Sequence, residues 1–179
     1  AAERAPLDLD PGEGKPSQDR RDVIVRTIRR LLASGAFQGR NVITAVPNDQ
    51  LKITSLRLAE TYGLDMDVAL RREAAQRFAL DPENDVVRYT LAGSVREGDD
   101  LKSEFILFAA DSNAIESHIS LLEEAGLRPV GVDAAPCALF RNFERMMRRQ
   151  EDRERTTIFL DIGHTHTAVV FGRAGQLCF

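Results

Sequence analysis

The stretch IFLDIGHTHTAVVF, Ile158 to Phe171, decides how the rest of the chain is read. An apolar run ends in an aspartate, a glycine follows two residues later, and a second apolar run begins almost at once. That order predicts strand, tight polar turn, strand. The carboxylate of Asp161 falls where the first strand runs out, and Gly163 behind it permits close backbone approach or a positive φ. Thr165 and Thr167 add hydroxyls, and the amides of such a turn can form an anion-binding concavity. A carboxylate beside bare amides suits a phosphate whose charge is shared with a metal ion. A D-x-G sequence also occurs in ordinary hairpins, so a plain β-turn is the default reading of so short a motif.

The bulk numbers narrow the field. The chain has 179 residues, enough for one full domain or two small lobes, and its 43% hydrophobic content is that of an ordinary globular chain. A net charge of −4 gives no basic footprint for nucleic acid, and two Tyr with no Trp leave little for base stacking. Cys137 and Cys178 stand far apart without metal spacing and read as reduced thiols. No apolar run approaches the roughly 20 residues that span a bilayer, and no signal-peptide pattern opens the chain. The first residue is not Met, and a fragment of a longer protein is expected.

Outward from the opening stretch, the chain alternates helices and strands. Residues 1–18 carry three prolines and two glycines among charges and read as a disordered linker. Asp19 or Asp22 can cap a helix with Ile24, Ile28, Leu31 and Leu32 at helical spacing, stopped by Gly35. Asn41 to Pro47 is a buried strand, PNDQ turns the chain, and Leu51 to Leu58 reads as the returning strand. A helix from about Asp67 to Phe78 puts Leu70, Ala74 and Phe78 on one face. Val86 to Ala92 alternates as a half-solvated strand, the polar loop GSVREGDDLKS follows, and FILFAA (Phe105 to Ala110) completes a hairpin. Ser112 or Asp111 caps a helix carrying Ile115, Ile119, Leu122 and Ala125, ended by Gly126. Pro129 to Asp133 is a strand, and Pro136 begins a helix with Leu139, Phe140, Phe143, Met146 and Met147 in an apolar series closed by Arg148 and Arg149. GRAG then turns the chain from the opening stretch toward a last strand, Gln176 to Phe179. The order α β β α β β α β α β β β is an α/β layered arrangement.

Taken together, four runs resemble the PilM family, the actin-like proteins of type IV pilus assembly. NVITAVPNDQLKITSLRL is similar to that family's strand, Pro, turn and returning strand. REAAQRFALDPENDVVRYTLAG looks like its next helix and strand. FILFAADSNAIESHISLLEEAGLRPVGVDAAPCALFRNFE is similar to its strand, helix, A-G-L-x-P, V-x-V-D and proline-led helix. FLDIGHTHTAVVF resembles its second phosphate loop. The resemblance covers about Asp22 to Phe179, and the wider fold is shared with the FtsA division and GspL secretion proteins.

What the resemblance implies is an actin-like, ribonuclease-H-like α/β fold: a mixed sheet with helices, an inserted small α/β subdomain, and a truncated second lobe. Residues 19–55 would belong to the first actin-like subdomain and 56–135 to the insertion. Residues 136–155 would return to the core as a helix, and 156–179 would start the second lobe with the phosphate-loop hairpin. It also implies a cytoplasmic protein, peripheral to the inner membrane through a partner, that binds ATP and Mg²⁺ in a cleft between lobes. Cofactor contacts would fall to Asp161, Gly163, His164 and Thr165, with Asp161 holding Mg²⁺ through water. The implied partner is the cytoplasmic tail of a PilN-type inner-membrane protein, taken in a groove beside the insertion, with other pilus assembly proteins around it. Two departures stand out. Residues 1–20 hold no earlier D-I-G hairpin, and no adenosine-binding glycine motif is present, so this polypeptide alone is expected to bind ATP weakly or not at all. His164 stands where relatives carry a small residue, which crowds a phosphate.

Competing readings attach to the same residues. An enzyme of the same superfamily, a small-molecule kinase, would need a substrate-positioning carboxylate and both phosphate loops. A metal-dependent nuclease would need clustered carboxylates, with Asp133 approaching Asp161. A division or secretion scaffold related to FtsA or GspL would need neither. No catalytic base stands out, and any ATPase activity of the intact protein would be slow. His164 and His166 form H-x-H without a third ligand nearby in sequence, and His118 reads as a boundary residue. Arg71, Arg72, Arg77 and Arg88 read as a solvated basic face. Strands from Thr156 onward are expected to expose edges, which favours homo-oligomers or strand exchange.

Overall fold

A computed structural model of the chain describes residues 2, 5–7, 17–59, 65–81, 84–144, 151, 155–163 and 167–178. Among the described residues, four helices and eight strands follow one another in the order read from the sequence: α1 (Ser17–Ala33), β1 (Asn41–Val46), β2 (Lys52–Ala59), α2 (Met66–Phe78), β3 (Asp85–Glu97), β4 (Asp100–Asp111), α3 (Ser112–Glu124), β5 (Arg128–Ala134), α4 (Ala135–Glu144), β6 (Thr157–Ile162), β7 (Thr167–Arg173) and β8 (Gln176–Cys178). The result is a mixed α/β fold. Rather than one mixed sheet, the described strands form three: β1-β5, β2-β4-β3 and β6-β7-β8. The two three-stranded sheets are antiparallel.

Two compact units divide the chain, one of Ala1–Thr44 with Ile115–Val132 and one of Ala45–Ala114 with Asp133–Phe179. In the first, α1 and α3 are laced by polar contacts. The Arg21 guanidinium meets the Glu124 carboxylate at 2.9 Å and the Ser120 hydroxyl at 3.1 Å. Arg29 donates to the Glu124 carbonyl, a cation at the negative end of α3. Gly126, at φ +87°, closes α3: the Leu127 N–H donates to the Leu122 carbonyl at 3.0 Å and the Gly126 N–H to that of Glu123 at 2.8 Å. Asp111 opens it, accepting from the amides of Asn113 and Ala114. Val25, outside the apolar series read for α1, is its most buried side chain.

In the second unit the sheet β2-β4-β3 is covered on both faces. Alternate residues of a strand point to opposite faces. Phe105, Leu107 and Ala109 of β4 therefore meet Leu70 and Ala74 of α2, together with Leu56 and Val87. Ile106 and Phe108 face the other way, toward Phe140 of α4, Val170 of β7 and Leu177 of β8. A strand buried on both sides reads as an unbroken apolar run, which is why FILFAA lacks alternation: all of 105–110 is buried. Met66 opens α2 behind an Asp65 cap whose carboxylate accepts from the Asp67 amide at 3.1 Å.

Two expectations about this region are corrected. β2 does not return along β1; it pairs with β4 instead, because the PNDQ segment winds one 3-10 turn (Asn48–Gln50) that hands the chain to a different sheet. The loop GSVREGDDLKS is strand except for the two-residue turn Gly98–Asp99, with Gly98 at φ +63°. Its polar residues lie on a hairpin that outruns its apolar cover, so no alternation marks them. Asp19 and Asp22 both sit inside α1, which begins at Ser17, so neither caps it. Met146, Met147, Arg148 and Arg149 lie outside the described residues.

Candidate functional site

The hairpin of the opening stretch forms as read, with Phe159 opposite Val170, Leu160 opposite Val169 and Asp161 opposite Ala168. Its inner face is fixed by α4. The Phe143 ring stacks on Phe159 at 5.1 Å, and the Phe140 ring meets Phe159 edge-on at 6.1 Å. Phe140 also lies over Gly172, where a Cβ would come within 2.4 Å of its ring. Two residues beyond this clamp, Asp161 sits at the end of β6, exposed, as are Ile162 and Gly163. Among the described residues no side chain pairs with the Asp161 carboxylate. His164, Thr165 and His166 lie outside the described residues, and Thr167 is the exposed first residue of β7.

Asp133 is engaged elsewhere: its carboxylate pairs with the Arg141 guanidinium and accepts from the Ala134 N–H at 2.8 Å, anchoring the start of α4. No group of three or more His, Cys, Asp or Glu side chains among the described residues could hold a metal ion. His118 shares a hydrogen bond of 2.7 Å with the Thr44 hydroxyl. Burial pushes the Cys137 thiol up, away from reactivity.

A second feature escaped the sequence. Between α2 and the end of β2 lies a cleft of about 500 Å³, lined by Leu58, Val68 and Ala69 and by the polar Asp65, Arg72, Glu73 and Gln76. Val68 is a 60% exposed aliphatic side chain on a helix whose Leu70 and Ala74 are fully buried. The cleft draws on two elements, so no single motif marks it; the one local signal is an aliphatic residue off the buried stripe of α2. The basic residues of α2 are largely committed to the fold. Arg71 pairs with Asp67 at 2.7 Å, and that hydrogen bond holds the Asp67 carboxyl below its ordinary range. Arg77 donates to the Ser55 carbonyl at 3.1 Å, and the exposed Arg88 donates to the Val87 carbonyl at 2.8 Å. Arg72 is the member of the cluster that lines the cleft.

With this geometry in hand, solved structures supply the comparison. The chain is similar to one in a PilM–PilN type IV pilus biogenesis complex, with 25% identity, a TM-score of 0.75, and coverage of 100% of this chain and 52% of that one. The fold is PilM-like. The PilM-like chain spans about half the length of that neighbour. The cytoplasmic domain of EpsL, an inner-membrane component of the type II secretion system of Vibrio cholerae, is also similar at 13% identity, with a TM-score of 0.48 and coverage of 86% of this chain and 55% of that one. No family model and no curated protein matches the sequence. No helix among the described residues is long and apolar enough to cross a membrane.

Proposed function

We propose that this chain is part of an adaptor of type IV pilus assembly, cytoplasmic and held at the inner membrane by taking the tail of a PilN-type membrane protein. The observation that carries the reading is the likeness, along the whole chain, to a protein seen in a PilM–PilN complex. The cleft beside α2 supports it: a concave, partly apolar surface with a few polar groups suits a short peptide better than a flat helix face would. Nucleotide would serve as a conformational ligand of the intact protein. An exposed carboxylate at a strand end suits a metal-bound water, so Asp161 would hold Mg²⁺ and Gly163 would lie near phosphate, while the bound Mg²⁺-ATP would supply charge and lobe closure. A PilM-like adaptor of this kind needs a groove more than a catalytic base.

Titration with a synthetic peptide of a PilN cytoplasmic tail is the test. Saturable binding is expected, weakened by about tenfold in Val68→Asp, a loss of ~1.4 kcal/mol. In the same assay Asp161→Asn of the intact protein is expected to lose Mg²⁺-dependent ATP binding and keep the peptide. Failure of the wild-type protein to bind any such tail overturns the adaptor reading.

A further inference from the structure

We propose that the cleft beside α2 selects its peptide by an acidic side chain set two residues from an aliphatic one, and that Arg72 is the residue that reads the acid. This rests on the adaptor reading and names the chemistry of the tail such an adaptor takes. Val68, Arg72 and Gln76 all line the cleft and stand four residues apart on α2. Residues at that spacing lie on one side of a helix, each about 6 Å further along its axis. The wall is therefore a row of three groups in fixed order: an aliphatic side chain, a guanidinium and an amide. An extended peptide matches this repeat, because its alternate side chains point the same way and recur at about 7 Å. A helix about 10 Å across would fill the cleft of about 500 Å³ with little more than one turn.

Charge decides what the peptide carries at its middle position. The two acids of the cleft are already engaged: Asp65 accepts from the Asp67 amide at 3.1 Å, and the Glu73 carboxylate lies 3.8 Å from the Arg77 guanidinium. Arg71 is likewise paired with Asp67. Arg72 has no hydrogen-bond or ion-pair partner among the described residues, so the unmatched charge of the cleft is positive. A guanidinium offers two parallel N–H donors that one carboxylate accepts together, and the flanking Val68 and Ala69 supply the apolar surface for the neighbouring aliphatic. A lysine or arginine at the same position would meet like charge, which excludes the wrong tail. The peptide thus reads aliphatic, any residue, acidic, along α2.

Titration of the intact protein with a synthetic PilN cytoplasmic tail, and with variants of that tail scanned position by position, reads the outcome. Arg72→Glu is expected to raise the dissociation constant at least about tenfold and to remove the weakening of binding by salt. A tail whose acidic residue is exchanged for arginine is expected to bind Arg72→Glu better than it binds the wild-type protein. Arg96→Glu, the same charge change at an exposed position of β3, is expected to leave affinity unchanged. Arg72 holds no partner within the described residues, so the unfolding midpoint of Arg72→Glu is expected to stay that of the wild type. A tail that binds wild type and Arg72→Glu alike, a scan in which no acidic position matters, or equal weakening by Arg96→Glu overturns this proposal and leaves the adaptor reading standing. No binding to the wild-type protein overturns both.

Discussion

At Gly172 the absence of a side chain is what lets α4 seat. The Phe140 ring occupies the volume a Cβ would need, 2.4 Å away, and Phe159 closes the site from the other side at 3.2 Å. Gly172→Ala must therefore displace an aromatic ring from a packed cluster, at a cost of about 1–3 kcal/mol. Denaturant unfolding of the variant would measure it, and an unchanged midpoint would show that α4 is free to shift. The same residues mark how far single positions could be read from sequence. Phe140 and Phe143 belong to the apolar helical series read from the sequence, and both pack on Phe159. Asp161 and Gly163 fall at the hairpin end where the D-x-G pattern put them, whereas His164 and Thr165 lie outside the described residues. Gly172, read as part of the GRAG turn, lies instead inside β7, and its need for a bare Cα comes from a helix about thirty residues upstream.

Among the elements, the β3–β4 hairpin departs furthest from its sequence reading. Its outer half carries Arg96, Glu97, Asp99, Asp100 and Lys102, a composition that reads as loop, yet the ladder continues to Glu97 opposite Asp100. The tip holds because a two-residue turn with glycine sets the register and Lys102 pairs with Glu97 at 2.9 Å. That ammonium holds the Glu97 carboxyl below its ordinary value of 4.5. A carboxyl whose pKa is lowered on folding stabilises the hairpin above its unfolded value and loses that contribution as pH falls through the folded one. The tip is accordingly expected to loosen below pH 4.5, with the Glu97 carboxyl titrating by NMR at a midpoint under that value and Lys102→Gln restoring it upward. Helices were easier: α2 and α3 begin and end within a residue or two of their predicted limits, since caps and glycines are local signals while strand pairing is not.

For the whole molecule, the burial pattern sets an order of stability. β4 lies between two apolar clusters, one on each face of its sheet, and its 105–110 segment is buried throughout. Its amides are expected to exchange with solvent more slowly than those of β1 and β5, a two-stranded pair that exposes Ile43, Val130 and Val132. Hydrogen exchange followed by mass spectrometry would show this, and equal protection of the two sheets would count against it. The element order was readable throughout because periodicity is local; the distribution of strands over three sheets was not, since it depends on which distant strand each edge meets. One residue of β3 carries a last consequence. Ala92 has no Cα partner on β4: Leu91 pairs with Phe105 and Gly93 with the next residue, Glu104. Ala92 is therefore supernumerary, and a chain lacking it would keep every remaining rung of the ladder. Its deletion is expected to leave Leu91 opposite Phe105 and Gly93 opposite Glu104 while taking a buried methyl from beside Ile106 and Phe108.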